Sequence, residues 1–96
     1  MTSIISNLNK AFESRIRLGI MSILAVNSSA DFNTLKELLE VTDGNLASHL
    51  KALENMEYIQ SMKQFIGRKP NTKYKITVSG KTNFHEHLNA LEKFLQ

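Results

Sequence analysis

The feature that most constrains the fold is a pair of short helical patterns with almost no linker between them. Apolar residues recur at helical intervals over residues 33–40 and again over residues 42–56. Thr42 precedes the second pattern and is well suited to cap it. Two short helices joined by so tight a turn form a helix-turn-helix. In the first of them we expect Asn33 as the cap and three residues facing the core: Leu35, Leu38 and Leu39.

The hydrophobic period changes after the second helix. Four residues alternate with polar ones, which predicts a half-buried strand: Thr72, Tyr74, Ile76 and Val78. The stretch "IQSMKQFI" is the expected antiparallel partner. "GRKPN" joins the two strands, with Gly67 free to adopt positive φ and Pro70 fixing the bend. Residues 58–78 therefore predict a hairpin.

Helical spacing also extends to both ends of the chain. From Ile4 to about Asn27 it predicts an N-terminal helical segment that runs into a longer helix, with a break near Ser14. "ADF" is expected to add an edge strand of two or three residues. A last helix begins at Val78, capped by Thr77. The order helix, helix, helix, hairpin, helix predicts one mainly α domain over residues 1–96, a winged helix-turn-helix.

The basic residues are concentrated in one segment. Between Ser61 and Lys81 there are six lysines and arginines and no acidic residue, whereas the other 75 residues carry six basic and nine acidic ones. A basic segment on an otherwise acidic domain favours a localised contact with a polyanion, most often nucleic acid. A solvated lysine face is the alternative.

Composition excludes several classes of function. The chain has no cysteine, so disulfides, thiolate metal sites and cysteine nucleophiles are excluded. Serine, histidine and aspartate occur in no nucleophile motif, and His85 and His87 lie on different sides of a helix, so we expect neither an enzyme nor a metal or other cofactor. The longest apolar run is about half a membrane span, and no secretory signal is visible, which predicts a cytoplasmic protein that does not enter the membrane.

The second helix of the helix-turn-helix has an unusual open face. If Leu46, Leu50 and Leu53 face the core, the opposite face carries small and polar residues, with Asn45 to one side of it: Gly44, Ser48, Lys51 and Asn55. An asparagine can bond bidentately to adenine, a serine suits a base or a phosphate, and a lysine suits guanine or a phosphate. The sequence therefore predicts a recognition helix in a major groove. Alternatively, the glycine and asparagine only shape the start of the helix.

Three stretches together resemble a known family: "FESRIRLGIMSIL", "DFNTLKELLEVTDGNLASHLKALENMEYI" and "FIGRKPNTKYKITVSGKTNF". They are similar to the small stand-alone winged-helix regulators of the MarR/ArsR-like group over about residues 8 to 95. The resemblance implies a homodimeric transcriptional regulator that binds double-stranded DNA. The complete set of expected DNA contacts is Thr42, Gly44, Asn45, Ser48, His49, Lys51, Arg68, Lys69 and Lys73. For His49, a hydrogen bond to a neighbouring backbone group at the boundary of the core is the alternative.

The chain departs from that family at one position. Such proteins usually have a glycine before the aromatic residue that follows the recognition helix, but "NMEYI" has Glu57 there. If the turn needs a left-handed residue, Glu57 costs roughly 1 kcal/mol relative to glycine.

The two ends of the chain carry more apolar residues than a winged-helix core needs. We expect residues 1–14 and 78–96 to form helices at a two-fold dimer interface. Its predicted residues are Ile4, Ile5, Leu8, Phe12, Phe84, Leu88, Leu91 and Leu95. Alternatively, the terminal helices pack only on their own domain. The resemblance also suggests an unknown small-molecule effector in the dimer cleft. The competing functions are a winged-helix protein-interaction module and a non-specific nucleic-acid-binding module.

Overall fold

The computed structural model describes Ser3 and residues 5–96 and has the predicted order of elements. Four α-helices surround a small antiparallel sheet, whose strand order is β1-β3-β2. The fold is therefore a winged helix, as the sequence predicts. A short 3₁₀ helix over Lys10–Phe12 is followed by α1 (Arg15–Val26), β1 (Ala30–Asp31), α2 (Phe32–Leu39), α3 (Asp43–Asn55), β2 (Ile59–Ile66), β3 (Lys69–Ile76) and α4 (Val78–Lys93).

The N-terminal segment differs from the helix expected over residues 1–14. Residues 5–8 form turns and a bend, and within residues 5–14 the 3₁₀ helix is the only helix before α1. The predicted break is correct, because Ser14 caps α1 and its Oγ accepts a hydrogen bond from the Arg17 amide at 3.3 Å. Asn9 accepts from the Ala11 amide at 2.9 Å, and such local side-chain bonds compete with a continuing helix. Ile4 lies outside the described residues.

Phe12 lies at the centre of an aromatic cluster in the core. Its ring centroid is 5.4 Å from those of Tyr58 and Phe84 and 5.3 Å from that of His87. Phe12 and Phe84 are almost completely buried within their own domain. Neither side chain therefore has exposed surface to offer a second subunit, which corrects their assignment to a dimer interface. The rest of the core comes mainly from α1, α2 and α3: Ile20, Met21, Leu24, Leu35, Leu46, Leu50 and Leu53.

Helix α2 and its cap begin two residues earlier than the sequence suggested. Its cap is Asp31, not Asn33, and the Asp31 carboxylate accepts from the Thr34 amide at 2.8 Å. Leu35 is buried and Leu39 is partly buried, but Leu38 is 63% exposed, so its predicted place in the core is wrong. At 100° per residue, Leu38 lies about 80° from the middle of the stripe that Leu35 and Leu39 define.

Strands β2 and β3 form a hairpin paired from Ile59↔Ile76 to Ile66↔Lys69. The connection is only two residues long, and Gly67 has φ of 65°, as predicted. Pro70 is not in the bend but in β3, opposite Phe65. Ile66 and Lys69 flank the two-residue turn and form a hydrogen-bonded pair, so the next pair, Phe65 and Pro70, is not hydrogen-bonded. The backbone nitrogen of Pro70 therefore points away from β2, toward the open edge of β3, where no N–H is needed. Edge strand β1 reaches only Lys73 and Tyr74 of β3.

Helix α4 is capped by Thr77, as predicted, through a 2.9 Å bond from the Gly80 amide to its Oγ1. Val78 is the first residue of this helix and is exposed, so it does not continue the buried face of the strand. The buried face of α4 consists of Gly80, Phe84, His87 and Ala90. A Cβ at Gly80 would meet the Tyr58 carbonyl oxygen, so only glycine allows α4 to approach the start of β2 this closely.

Candidate nucleic-acid interface

The open face of α3 is exposed as the sequence predicts. Gly44, Asn45, Ser48 and Lys51 all lie on the surface. A Cβ added at Gly44 would meet nothing within 4 Å, so the domain's own packing does not require a glycine there. The small residue leaves the backbone at the start of α3 open to a partner.

Two contacts organise the start of α3. Thr42 Oγ1 accepts from the Asn45 amide at 3.2 Å, so the predicted contact Thr42 also has a structural role as the helix cap. Asp43 forms an ion pair with Lys36 of α2, with 2.8 Å between Nζ and Oδ1. This pair holds the one acidic side chain of the first turn against a cation, which reduces its repulsion of a negatively charged partner.

His49 lies at the boundary between α3 and α1. Arg17 Nε donates to His49 Nδ1 at 3.0 Å, so the partner is a side chain rather than the backbone group that the sequence suggested. Burial lowers the pKa of His49, and the positive charge of Arg17 lowers it further. A neutral ring that accepts at Nδ1 carries its hydrogen on Nε2, which keeps one N–H for donation outside the domain.

The wing carries its positive charge at the tip and along both strands. Arg68 in the turn and Lys69 at the start of β3 are exposed. Lys73 is partly buried and lies beside Asp31 of β1, four residues from Lys69. At about 3.3 Å per residue, that separation is about 13 Å, so Lys73 belongs to the base of the wing and not to the tip.

A chain of hydrogen bonds fixes the wing to the start of α2. Gln64 Nε2 donates to Asn71 Oδ1 at 2.9 Å, and Asn71 Nδ2 donates to Asp31 Oδ2 at 3.3 Å. The other oxygen of Asp31 caps α2 through Thr34. The bonds from Thr34 and then Asn71 hold the pKa of Asp31 below its usual value, against an opposing effect of burial. Sequence patterns did not reveal this network, because Asn71 and Asp31 are 40 positions apart.

A second link sets the wing against α3. Ser61 Oγ of β2 donates to Glu54 Oε2 of α3 at 2.8 Å. The hairpin and the recognition helix are thus tied together at the point where the wing leaves the body of the domain. Both predicted DNA-contacting elements therefore belong to one framework of side-chain hydrogen bonds.

A separate apolar surface involves the two ends of the chain. Leu88 and Leu91 of α4 are 42% and 38% exposed, Ile5 and Leu95 are more exposed, and Leu8 is partly buried. Four of the residues predicted at a dimer interface are thus exposed apolar side chains. Phe94, which follows α4, adds a further one.

Comparison with known proteins identifies the fold family. Residues 16–95 match the family model of the winged helix DNA-binding domain. The chain belongs to this family. Membership confirms the winged-helix DNA-binding domain that the resemblance implies, and it places the chain among DNA-binding proteins and not among enzymes.

The proteins to which this winged helix DNA-binding domain is similar match it over most of its length. An uncharacterized protein of Methanocaldococcus jannaschii is 38% identical over 79 residues, which span 82% of this chain and 86% of that protein. A transcriptional regulator homologue from Pyrococcus horikoshii OT3 is 31% identical, covers 90% of each chain and has a TM-score of 0.76. MepR of S. aureus, solved in complex with DNA, has the same TM-score at 14% identity, covering 94% of this chain and 73% of that one. This last likeness shows the fold alone.

The described residues include neither a metal-binding cluster nor a membrane-spanning helix. Within Ser3 and residues 5–96, no group of three histidine, cysteine, aspartate or glutamate side chains is arranged to hold a metal ion. Over the same residues, no helix is both long and apolar enough to cross a membrane.

Proposed function

We propose that this chain is a sequence-specific transcriptional regulator that binds duplex DNA as a homodimer on an inverted-repeat operator. Helix α3 lies in the major groove, and the wing contacts the flanking phosphates and the minor groove. The observation that carries the proposal is the exposed face of α3 beside a basic hairpin, in a winged helix DNA-binding domain.

The residues on α3 differ in what they contribute. Asn45 has an exposed amide that offers both a donor and an acceptor, as bidentate bonding to adenine requires. Gly44 lets the backbone approach the duplex. Ser48 and Lys51 follow on the same face and suit either a base edge or a phosphate. His49 supplies at most its Nε2–H, because Nδ1 is bonded to Arg17.

The wing contributes affinity without reading bases. Arg68 and Lys69 project from its tip, and neutralising phosphates makes binding depend steeply on salt. The hydrogen bonds through Asn71 and Ser61 hold the hairpin at a fixed angle. Because the hairpin is already ordered, less conformational entropy is lost when DNA binds. A protein-interaction module, the alternative, has no use for six basic residues without an acidic one.

Dimerisation is supported by exposed leucines near the C-terminus. Leu88 and Leu91 lie one turn apart on α4, and Leu95 follows it. A two-fold dimer places its recognition helices about 34 Å apart, which corresponds to one turn of B-DNA. The effector that the resemblance suggests remains a prediction.

Two variants test the division of labour between helix and wing. Arg68→Ala combined with Lys69→Ala is expected to weaken binding to all duplexes alike and to flatten the salt dependence. Asn45→Ala is expected to relax preference at particular base pairs by about 1–3 kcal/mol, with the salt dependence unchanged. Anisotropy titrations on a duplex series with single base-pair changes distinguish the two. A uniform loss for Asn45→Ala would refute its base-reading role.

A further inference from the structure

The tip of the wing carries an aromatic side chain among its basic residues. Phe65, near the end of β2, is 74% exposed and lies opposite Pro70. Lys63 lies on the same face as this apolar pair, and Arg68 and Lys69 follow in the turn and at the start of β3. Projecting strands are usually protected by charged residues or proline, and an exposed phenylalanine paired with Pro70 instead forms an apolar patch at the basic tip, as expected of a contact surface.

Phe65 lies on the face of the wing that is turned toward α3. Side chains alternate along a strand, so Ile59, Ser61, Lys63 and Phe65 share one face of β2. Ile59 is buried in the core, and Ser61 bonds to Glu54 of α3. The same face therefore continues outward to Lys63 and Phe65, whereas the neighbouring Ile66 projects from the opposite face.

The reach of the hairpin fits the spacing of the grooves of B-DNA. Phe65 is four residues beyond the Ser61–Glu54 bond, or about 13 Å along the strand. The major groove that α3 would occupy is about 12 Å wide. A side chain at that distance crosses one phosphate backbone and arrives at the adjacent minor groove. Arg68 and Lys69, next to it, match the phosphates that line that groove.

We propose that Phe65, supported by Pro70, is an apolar contact of the wing with the minor groove of duplex DNA. The inference rests on the proposed function and adds a residue that carries no charge. Phenylalanine and proline are among the side chains that enter the minor groove at a base step and bend the duplex. Phe65 thus contributes to affinity and to DNA shape, while Arg68 contributes to the electrostatic attraction.

The test compares Phe65→Ala with Arg68→Ala on one end-labelled, A·T-rich duplex of about three helical turns, which spans two half-sites one turn apart. Anisotropy gives the affinity at several salt concentrations, and energy transfer between the labelled ends gives the bend. Phe65→Ala is expected to lower affinity roughly tenfold and to reduce the bend, with the salt dependence unchanged. Arg68→Ala is expected to flatten the salt dependence.

Ile66→Ala is the matched control, because Ile66 is 58% exposed and lies on the other face of the hairpin. It is expected to retain wild-type affinity and bend. Unchanged binding by Phe65→Ala, or an equal loss for Ile66→Ala, overturns the inference while the proposed function stands. An equal loss on a single-stranded oligonucleotide of the same length assigns Phe65 to base stacking and also overturns it. If the wild type binds neither this duplex nor any duplex of a random library, the proposed function fails as well.

Discussion

Two glutamates hold backbone conformations that normally favour glycine. Glu40 at the end of α2 has φ of 52°, and Glu57 after α3 has φ of 62°. The turn at Glu57 is a Schellman motif: the Tyr58 amide donates to the Leu53 carbonyl at 3.0 Å, and the Glu57 amide donates to the Glu54 carbonyl at 2.9 Å. Glu57, which stands where related proteins usually have a glycine, therefore adopts the left-handed conformation that this position requires.

Replacing Glu57 tests whether this strain lowers the stability of the domain. Glu57→Gly is expected to leave the free energy of unfolding unchanged or to raise it by up to about 1 kcal/mol, because glycine adopts the left-handed region freely. Urea unfolding measures the difference. Glu57→Ala is the control: it removes the same exposed side chain but keeps the strain, so it should give no gain. A clear loss of stability for Glu57→Gly would contradict this explanation.

Two histidines accept hydrogen bonds inside the domain and must be neutral to do so. His49 Nδ1 accepts from Arg17, and His87 Nδ1 accepts from the Asn9 amide at 3.0 Å. Burial lowers the pKa of both rings below 6.5, opposed at His87 by Glu13. The unfolded state therefore binds protons more readily than the native state in this range. The contribution of the two neutral histidines to the free energy of unfolding is fully present above about pH 6.5. It is lost as the pH falls through their lowered folded-state pKa values.

Urea unfolding at about pH 5 and about pH 8 measures this dependence. His87→Asn retains an acceptor near the position of Nδ1 but does not titrate, so it is expected to reduce the difference between the two pH values. His85→Asn, on the exposed side of α4, should leave the difference as in the wild type. Stability that is equal or greater at the lower pH would show that the histidines are not neutral acceptors.

At the level of elements, the sequence correctly predicted the features that depend on neighbouring residues, such as hydrophobic spacing and helix caps. Leu46, Leu50 and Leu53 at helical spacing identified α3, and the threonines before α3 and α4 are both caps. The errors arose where contacts distant in sequence decide the outcome. Residues 5–12 do not form an α-helix, because Asn9 bonds instead to His87 and, at 3.1 Å, to the Tyr58 hydroxyl. No periodic pattern records such bonds.

The candidate site was predictable to a similar extent. The exposed face of α3 and the basic tip of the wing follow from residue type and spacing. The supporting residues Arg17, Glu54, Asn71 and Asp31 do not, because each acts through a partner on another element. Phe65 resembled an ordinary strand residue, and only its exposure and its position at the tip distinguish it.

The link between the wing and α2 predicts a graded loss of stability. Asn71→Ala removes the bonds to Gln64 and Asp31 and is expected to cost about 1 kcal/mol, with faster amide hydrogen exchange in the wing. Asp31→Ala also removes the cap of α2, which adds about 0.5–2 kcal/mol. Chemical denaturation of both variants measures which of them loses more free energy of unfolding. If Asp31→Ala costs no more than Asn71→Ala, the cap contributes nothing.

For the whole molecule, the proposed dimer is the feature that would most change what the domain can do. One protomer presents one recognition helix, whereas two that are related by two-fold symmetry can read an inverted repeat. Leu88→Glu is expected to produce monomers in sedimentation at tens of micromolar, because it buries an unpaired charge in the proposed interface. Leu38→Glu, at an exposed leucine of α2, is the control and should not change the mass. A monomeric wild type would rule out the interface.

Sequence-specific binding by a dimer can be tested by selection from a random duplex library with purified protein at two salt concentrations. Enrichment of an inverted repeat, with half-sites about one helical turn apart, is expected at both concentrations. Lack of enrichment, with weak binding that disappears at the higher salt, would contradict it. The basic wing would then provide electrostatic attraction alone, and the open face of α3 would not read DNA.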